Sequence, residues 1–242
     1  MKQLYKIFMF PIFLGLVFGL TGCEDVLDTE VPSDIVFGNF PANGQEAQAL
    51  LQGIYRDLKD DYNSTYYHED RGEGFDVGVI GTVSNAWSQN ITSTNGTSWT
   101  GYYGALNNIN FLLSVADDLS FSNENDRDKL KAEALFLRAT YYFYMARIWG
   151  DVPLLTEPVL SPDAEVIGRT PVAQVFTQIN TDISEAISLF PSDGFGDKNF
   201  ASKPAAYALQ ADVKMWTGKV LGGGTPDFDA ALSAIQKIEE QG

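Results

Sequence analysis

Cysteine and histidine are almost absent from this chain of 242 residues, which holds one of each, Cys23 and His68. A single cysteine excludes an intramolecular disulfide. A single histidine excludes zinc sites built on several imidazoles and any His-Glu-x-x-His pair. Positive charge is scarce too: 16 Lys and Arg stand against 32 Asp and Glu, a formal charge of −16. Nucleic-acid binding rests on clustered cations that neutralise phosphates, so this chain is no general nucleic-acid binder. No apolar run reaches the roughly 20 residues that a membrane-spanning helix needs. A Gly-x-Ser-x-Gly nucleophile elbow is also missing, and Gly222-Gly223-Gly224 lacks the Gly-Lys-Ser/Thr ending of a phosphate loop.

What is present begins with an export signal. Lys2 and Lys6 precede an uncharged apolar run of 14 residues, 7–20, the profile of a secretory signal core. Leu20-Thr21-Gly22-Cys23 then reads as a bacterial lipobox, giving a signal peptide over 1–22 and Cys23 as the acylated residue. Each buried methylene of the acyl chains contributes about 0.8 kcal/mol, so several chains on one residue hold a protein stably to a membrane. Cleavage removes both lysines and leaves 14 Lys and Arg against 32 Asp and Glu, a formal charge of −18. Glu24 and Asp25 resemble the acidic signals that send some Gram-negative lipoproteins to the cell surface. Residues 23–43, with Pro32 and Pro41, read as a tether, and 44–242 as the folded domain. The 220 residues from Cys23 onward suffice for a sizeable core.

The pattern beyond the tether is helical. Leu130, Ala134, Leu137, Tyr141, Met145 and Ile148 recur at the 3–4 spacing of a buried helix face. This long helix starts at an Asn123 or Asn125 cap, carries Asp126 and Asp128 early, and ends at Gly150 before an Asp151-Val152-Pro153 turn. Further helices are expected over 45–59, 99–116, 171–189 with Thr170 as cap and Pro171 first, 203–216 and 228–239. Gly222-Gly223-Gly224-Thr225-Pro226 reads as a linker between the last two. Ala205, Ala208, Ala211 and Ala230, Ala231, Ala234 suit a close helix crossing. Residues 60–98 show no helical period and form the one long loop region, the kind of segment that carries function on a rigid scaffold. The fold class is all-α, resembling degenerate tetratricopeptide helical repeats with a loop-rich insertion.

The wording of 132–154, AEALFLRATYYFYMARIWGDVPL, resembles the signature helix of the SusD/RagB family of outer-membrane nutrient-binding lipoproteins. WTGYYGALNNINFLL from Trp99, Arg169-Thr170-Pro171 with 179–191, and ASKPAAYALQA from Ala201 are similar to flanking helices of that family in the same order. Members run to about twice this length, and a solenoid lacking its cap exposes an apolar face, so Gly242 is expected to be a truncation point. The resemblance implies a protein that is not an enzyme and needs no cofactor. It implies binding of oligosaccharide or polysaccharide at the outer membrane, with the protein facing the exterior, and delivery to a SusC-like TonB-dependent transporter.

Candidate ligand residues lie in the long loop. Pyranose rings present C–H patches that lie on aromatic faces, and their hydroxyls need planar donors and acceptors. Tyr66, Tyr67, Trp87 and Trp99 fall in or beside the loop among Asn85, Gln89, Asn90 and Asn95. The Arg71…Trp87-x-x-Asn90 order resembles the family's starch-binding set, which implies Trp87 as stacking platform and Arg71 and Asn90 as hydroxyl partners. Trp99 opens a helix and is expected in the core. Glu133 and Arg138, inside so apolar a helix, are expected to be structural, either paired or snorkelling to the surface. His68-Glu69-Asp70 reads as a solvated loop rather than a metal site. A glycosidase needs two carboxylates about 5–10 Å apart, and no pair is singled out. A protein-binding helical repeat, a glycan-cleaving lipoprotein and a peptide cargo stay open as alternatives.

Overall fold

The computed structural model describes residues 40–62, 85–92, 94–96 and 98–241. Cys23, Arg71 and His68, with the expected signal, most of the tether and much of the long loop, lie outside the described residues. Six helices run through the described residues: α1 (Gly44–Tyr62), α2 (Thr100–Val115), α3 (Glu124–Trp149), α4 (Val172–Leu189), α5 (Lys203–Val220) and α6 (Gly224–Glu239). No strand occurs among them. Each helix packs on the next, most extensively α3 on α4 and α5 on α6, and α3 also touches α1 and α5. This is the layered, sequential packing of a helical repeat.

Helix α3 is the axis of the core. Its Asn123 cap accepts a hydrogen bond from the Asp126 amide at 2.9 Å, and Glu124 and Asp126 place negative charge at the positive end of the helix dipole. Gly150 ends it with φ +69°, a backbone conformation that a side chain resists. The apolar periodicity predicts one buried face, and the structure departs from that. From Leu130 to Ala146 nearly every residue is buried, Tyr141, Tyr142, Phe143 and Tyr144 included, because α1, α2, α4 and α5 surround the helix. The polar side chains carried inside are paired rather than snorkelling. Arg138 clasps Asp182 of α4, its Nε and Nη2 donating to the two carboxylate oxygens at 2.9 and 2.7 Å. Burial alone lowers the basicity of that guanidinium, and the hydrogen bond and charge of Asp182 more than offset it, holding its pKa above the ordinary value.

Glu133 is the second buried charge. The Tyr55 hydroxyl of α1 donates to Glu133 Oε2 at 2.8 Å and accepts from the Ala201 amide at 2.8 Å. One phenol thus joins α1, α3 and the start of α5. Burial lifts the Glu133 carboxyl above its ordinary 4.5, and the Tyr55 hydrogen bond and Lys129 reverse only part of that shift. The folded state therefore holds this proton more tightly than the unfolded chain does. The resulting stability is fully present below pH 4.5 and is lost as pH rises through the raised folded value. Glu133→Gln keeps an acceptor for Tyr55 and removes the loss. Thermal melts are expected to show the variant more stable than the parent at pH 7 and level with it at pH 4. A parent that is the more stable at pH 7 contradicts this account.

Several boundaries differ from the sequence reading: α1 and α5 run on to Tyr62 and Val220, and the starts of α4 and α6 shift. Pro171, not Thr170, occupies the cap of α4, and the first amide of the helix, Val172, donates to Asp151 Oδ1 at 2.8 Å. The capping oxygen comes from the turn after α3, so it is invisible to local spacing. Thr170 instead pairs backbone to backbone with Val152 and accepts from the Leu154 amide through its hydroxyl. The linker before α6 is shorter than expected, since Gly224, Thr225 and Pro226 form the first helical turn. Asp227 in that turn accepts from Lys214 of α5 at 3.3 Å, which fastens the start of α6 to its neighbour. Of the alanines expected at the crossing, Ala211, Ala231 and Ala234 are buried together and Ala208 is exposed.

Candidate functional site

The candidate loop reaches the scaffold at Trp99, the cap of α2. Trp99 is partly buried, and its ring meets Tyr103 at 6.2 Å and Trp149 at 5.8 Å, both edge to face. The Arg169 guanidinium lies 4.8 Å from the Trp99 ring centroid and donates to the Asp151 carbonyl. The foot of the loop is therefore clamped between the end of α3 and the start of α4. Trp99 packs against the core, as expected, and serves as the anchor of the loop rather than its working face.

Ahead of Trp99 the chain braces itself with short-range hydrogen bonds. Residues 85–89 form turns in which the Asn90 amide donates to the Asn85 carbonyl at 2.8 Å and Gln89 takes a left-handed φ of +57°. Asn95 ties this turn to the next: its Nδ2 donates to the Asn90 carbonyl at 2.9 Å, and its Oδ1 accepts from the Thr92 amide. Ala86 is fully buried beneath the turn. Asn, Ser and Thr suit this geometry because their short side chains bond to nearby backbone.

On this braced turn stand two of the three residues picked from the sequence. Trp87 is 41% exposed, a large amphipathic surface for a residue that is usually covered. Asn90, three residues on, is exposed, and its carboxamide makes no hydrogen bond to any described residue. The structure places both on one small turn. Arg71, the third, lies outside the described residues.

Sequence reasoning missed one element that packs on α2 and α3. After Gly150 the chain returns as an extended strap over 153–159, pinned almost wholly by side chains. From α2, the Tyr103 hydroxyl donates to the Pro153 carbonyl at 2.6 Å. Asn107 exchanges a donor and an acceptor with Val159, and Asn110 Nδ2 donates to the Leu155 carbonyl. From α3, Tyr142 both donates to the Leu155 carbonyl and accepts from the Leu155 amide, at 2.8 and 2.7 Å. Burial pushes the Tyr142 phenol up to about 12, so it remains protonated and able to donate. Arg138 Nη1 completes the set, donating to Asn110 Oδ1 and the Thr156 carbonyl. The only available signal was the run of asparagines at 107, 108 and 110 within an apolar helix.

Among the described residues, no group of three or more His, Cys, Asp or Glu is placed to hold a metal ion. No helix among them is long and apolar enough to cross a membrane.

Comparisons with known proteins agree with this architecture. Residues 32–215 match the SusD-like family described as "Starch-binding associating with outer membrane". SusD-like protein P25 of Formosa agariphila is 25% identical over 227 residues, covering 84% of this chain and 42% of that protein. A SusD superfamily protein of Bacteroides vulgatus superposes with a TM-score of 0.73 at 26% identity, over 82% of this chain and 42% of that one. A laminarin-binding SusD-like protein gives a TM-score of 0.67 at 26% identity, over 80% of this chain and 43% of that one. The chain thus spans less than half the length of each of these relatives. With the family match extending over most of its length and an all-helical fold shared with solved members, the chain belongs to the SusD-like family.

Proposed function

We propose that this protein captures a neutral oligosaccharide at the outer membrane and passes it to a SusC-like TonB-dependent transporter, without a reaction of its own. Acyl chains on Cys23 anchor it, facing the exterior. The observation that carries the reading is the loop turn: an exposed Trp87 ring and an Asn90 carboxamide unengaged among the described residues, held on a turn braced by its own hydrogen bonds. A pyranose C–H face lies on the indole, and the Asn90 amide offers donors and an acceptor to adjacent hydroxyls. Arg71 supplies a fork of further donors. The family's description as starch-binding and the laminarin-binding structural relative support the choice of glycan as ligand.

Affinity electrophoresis and calorimetry of the full chain across a panel of neutral glycans test this reading, with co-purification from outer membranes testing the partner. Retention by at least one glycan and recovery of a TonB-dependent transporter are expected. Failure of every glycan to bind, together with no transporter, rejects the proposal. Release of reducing ends on long incubation, abolished by one carboxylate substitution, replaces capture with cleavage.

A further inference from the structure

A second cleft, of about 630 Å³, opens between the start of α1, the turn before α3 and the start of α5, and shares no residue with the Trp87 loop. Its size lies in the range of small-molecule sites. One wall is a row of amides on α1, Gln45, Gln48 and Gln52, spaced so that they line one helix face. None of these three carboxamides has a hydrogen-bond partner among the described residues. Two other walls are aromatic. Phe121 lies flush on Gly44, where an added Cβ meets its ring at 2.5 Å, and the Gly44 amide donates to the Ser120 carbonyl at 2.9 Å, fixing that turn in place. Phe200 is held by an edge-to-face contact with Tyr55, centroids 5.4 Å apart.

Charged groups complete the lining, Asp126 and Lys129 early in α3 and Glu133 deeper in the same helix. The side chain of Glu133 is 1% exposed yet lines the cleft, with Oε2 occupied by the Tyr55 hydroxyl. Its Oε1 has Lys129 Nζ at 3.8 Å, too long for a good hydrogen bond. A carboxylate oxygen accepts more than one donor, so a ligand O–H can add to Lys129 at that position.

We infer that this cleft is a second saccharide site, taking a neutral sugar unit with its C–H faces on Phe121 and Phe200 and its hydroxyls on Gln48, Gln52 and Glu133. The carboxamides supply donors and acceptors in pairs, and the carboxylate supplies an acceptor alone. Adjacent hydroxyls on one ring serve both kinds of group. An extended peptide offers one amide N–H per residue and matches the amide row but not the recessed carboxylate. Anionic ligands are disfavoured by the −16 charge of the chain and by Glu133 itself. The inference stands on the cleft alone and does not depend on binding at Trp87.

The test is nitrogen-resolved NMR of the full chain, following the side-chain amide signals of Gln45, Gln48 and Gln52 and the backbone signals of residues 85–92. The probes are laminaripentaose, maltopentaose, xylopentaose and an Ala-Phe-Ala-Phe-Ala peptide. At least one pentasaccharide is expected to shift Gln48 and Gln52, with the shifts persisting in Trp87→Ala. The double substitution Gln48→Ala/Gln52→Ala is expected to weaken binding at the cleft, read from the Gln45 signal, about tenfold, with the loop response unchanged. Surface positions such as these leave the fold intact, and unchanged backbone spectra verify it. Pentasaccharide shifts confined to the loop, or absent throughout, overturn the inference, as does a response of the glutamines to the peptide alone. A responding cleft with a silent loop upholds the second site and rejects the Trp87 reading instead.

Discussion

Arg138→Ala is expected to cost about 3–5 kcal/mol of stability, the range for removing one partner of a buried ion pair. The loss exceeds that of an ordinary salt bridge because one guanidinium serves three acceptors at once. Without it Asp182, which is fully buried, retains only the Gln178 side chain at 2.8 Å, and Asn110 Oδ1 and the Thr156 carbonyl lose a donor. Asp182 is then a buried charge short of its main donor and Asn110 Oδ1 a buried acceptor short of one, and that desolvation is what destabilises. For a chain of this size, about 2–4 °C per kcal/mol translates the loss into a melting point lower by roughly 10 °C. Arg138→Lys is expected to fall between the two proteins, since one ammonium cannot reproduce the two-pronged grip on Asp182 and also reach Asn110. The double variant Arg138→Met/Asp182→Leu restores less than an isolated pair does, because Asn110 and the strap remain unsatisfied. Hydrogen exchange gives a local readout: the Leu155 and Val159 amides, held by Tyr142 and Asn107, exchange faster in Arg138→Ala. An unchanged melting point shows that the pair is structurally idle.

The sequence carried the helices well because their signals are local. Asn123, Asp126 and Gly150 mark the ends of α3 by rules that act within one turn, and the structure places the cap and terminus there. Arg138 and Glu133 were legible as structural charges, since so apolar a helix admits them only paired or snorkelling. Their partners were not legible, because Asp182 and Tyr55 lie 44 and 78 residues away. The strap was missed for the same reason. Its bonds run from side chains to backbone across intervals of up to 52 residues and leave no period in the sequence. The one-faced pattern expected of α3 also left out Tyr142, which spends its hydroxyl on Leu155 inside the protein. The amide row of Gln45, Gln48 and Gln52 carried no signal of its own, and only the fold brings two phenylalanines and Glu133 to the same cleft. At the candidate loop, Trp87 and Asn90 were picked by their resemblance to the family's starch-binding set, and their shared turn is a fact of the structure rather than of the pattern. The long helix that carries the family wording has a further part that the wording hides. Through Trp149 it braces the Trp99 foot of that loop.

That brace separates two tryptophans twelve residues apart and supplies the sharpest test of the loop. Trp87→Ala is expected to weaken binding of the best glycan in the panel about thirtyfold, corresponding to roughly 2 kcal/mol for loss of an aromatic hot spot. Its melting point stays within about 1 °C of the parent, because a side chain 41% exposed on a surface turn contributes little to the core. Asn90→Ala removes hydroxyl contacts but no stacking surface and is expected to weaken binding several-fold, by about 1 kcal/mol. Trp99→Ala behaves in the opposite way. It removes the contacts to Tyr103, Trp149 and Arg169 at the foot of the loop, so stability falls by about 3 kcal/mol and binding declines only as the loop loses its footing. Calorimetric titration paired with thermal melts reads both quantities on each variant. If Trp87 were packing rather than platform, Trp87→Ala would lower the melting point and leave affinity unchanged, and the assignment of the loop as the glycan face would be withdrawn.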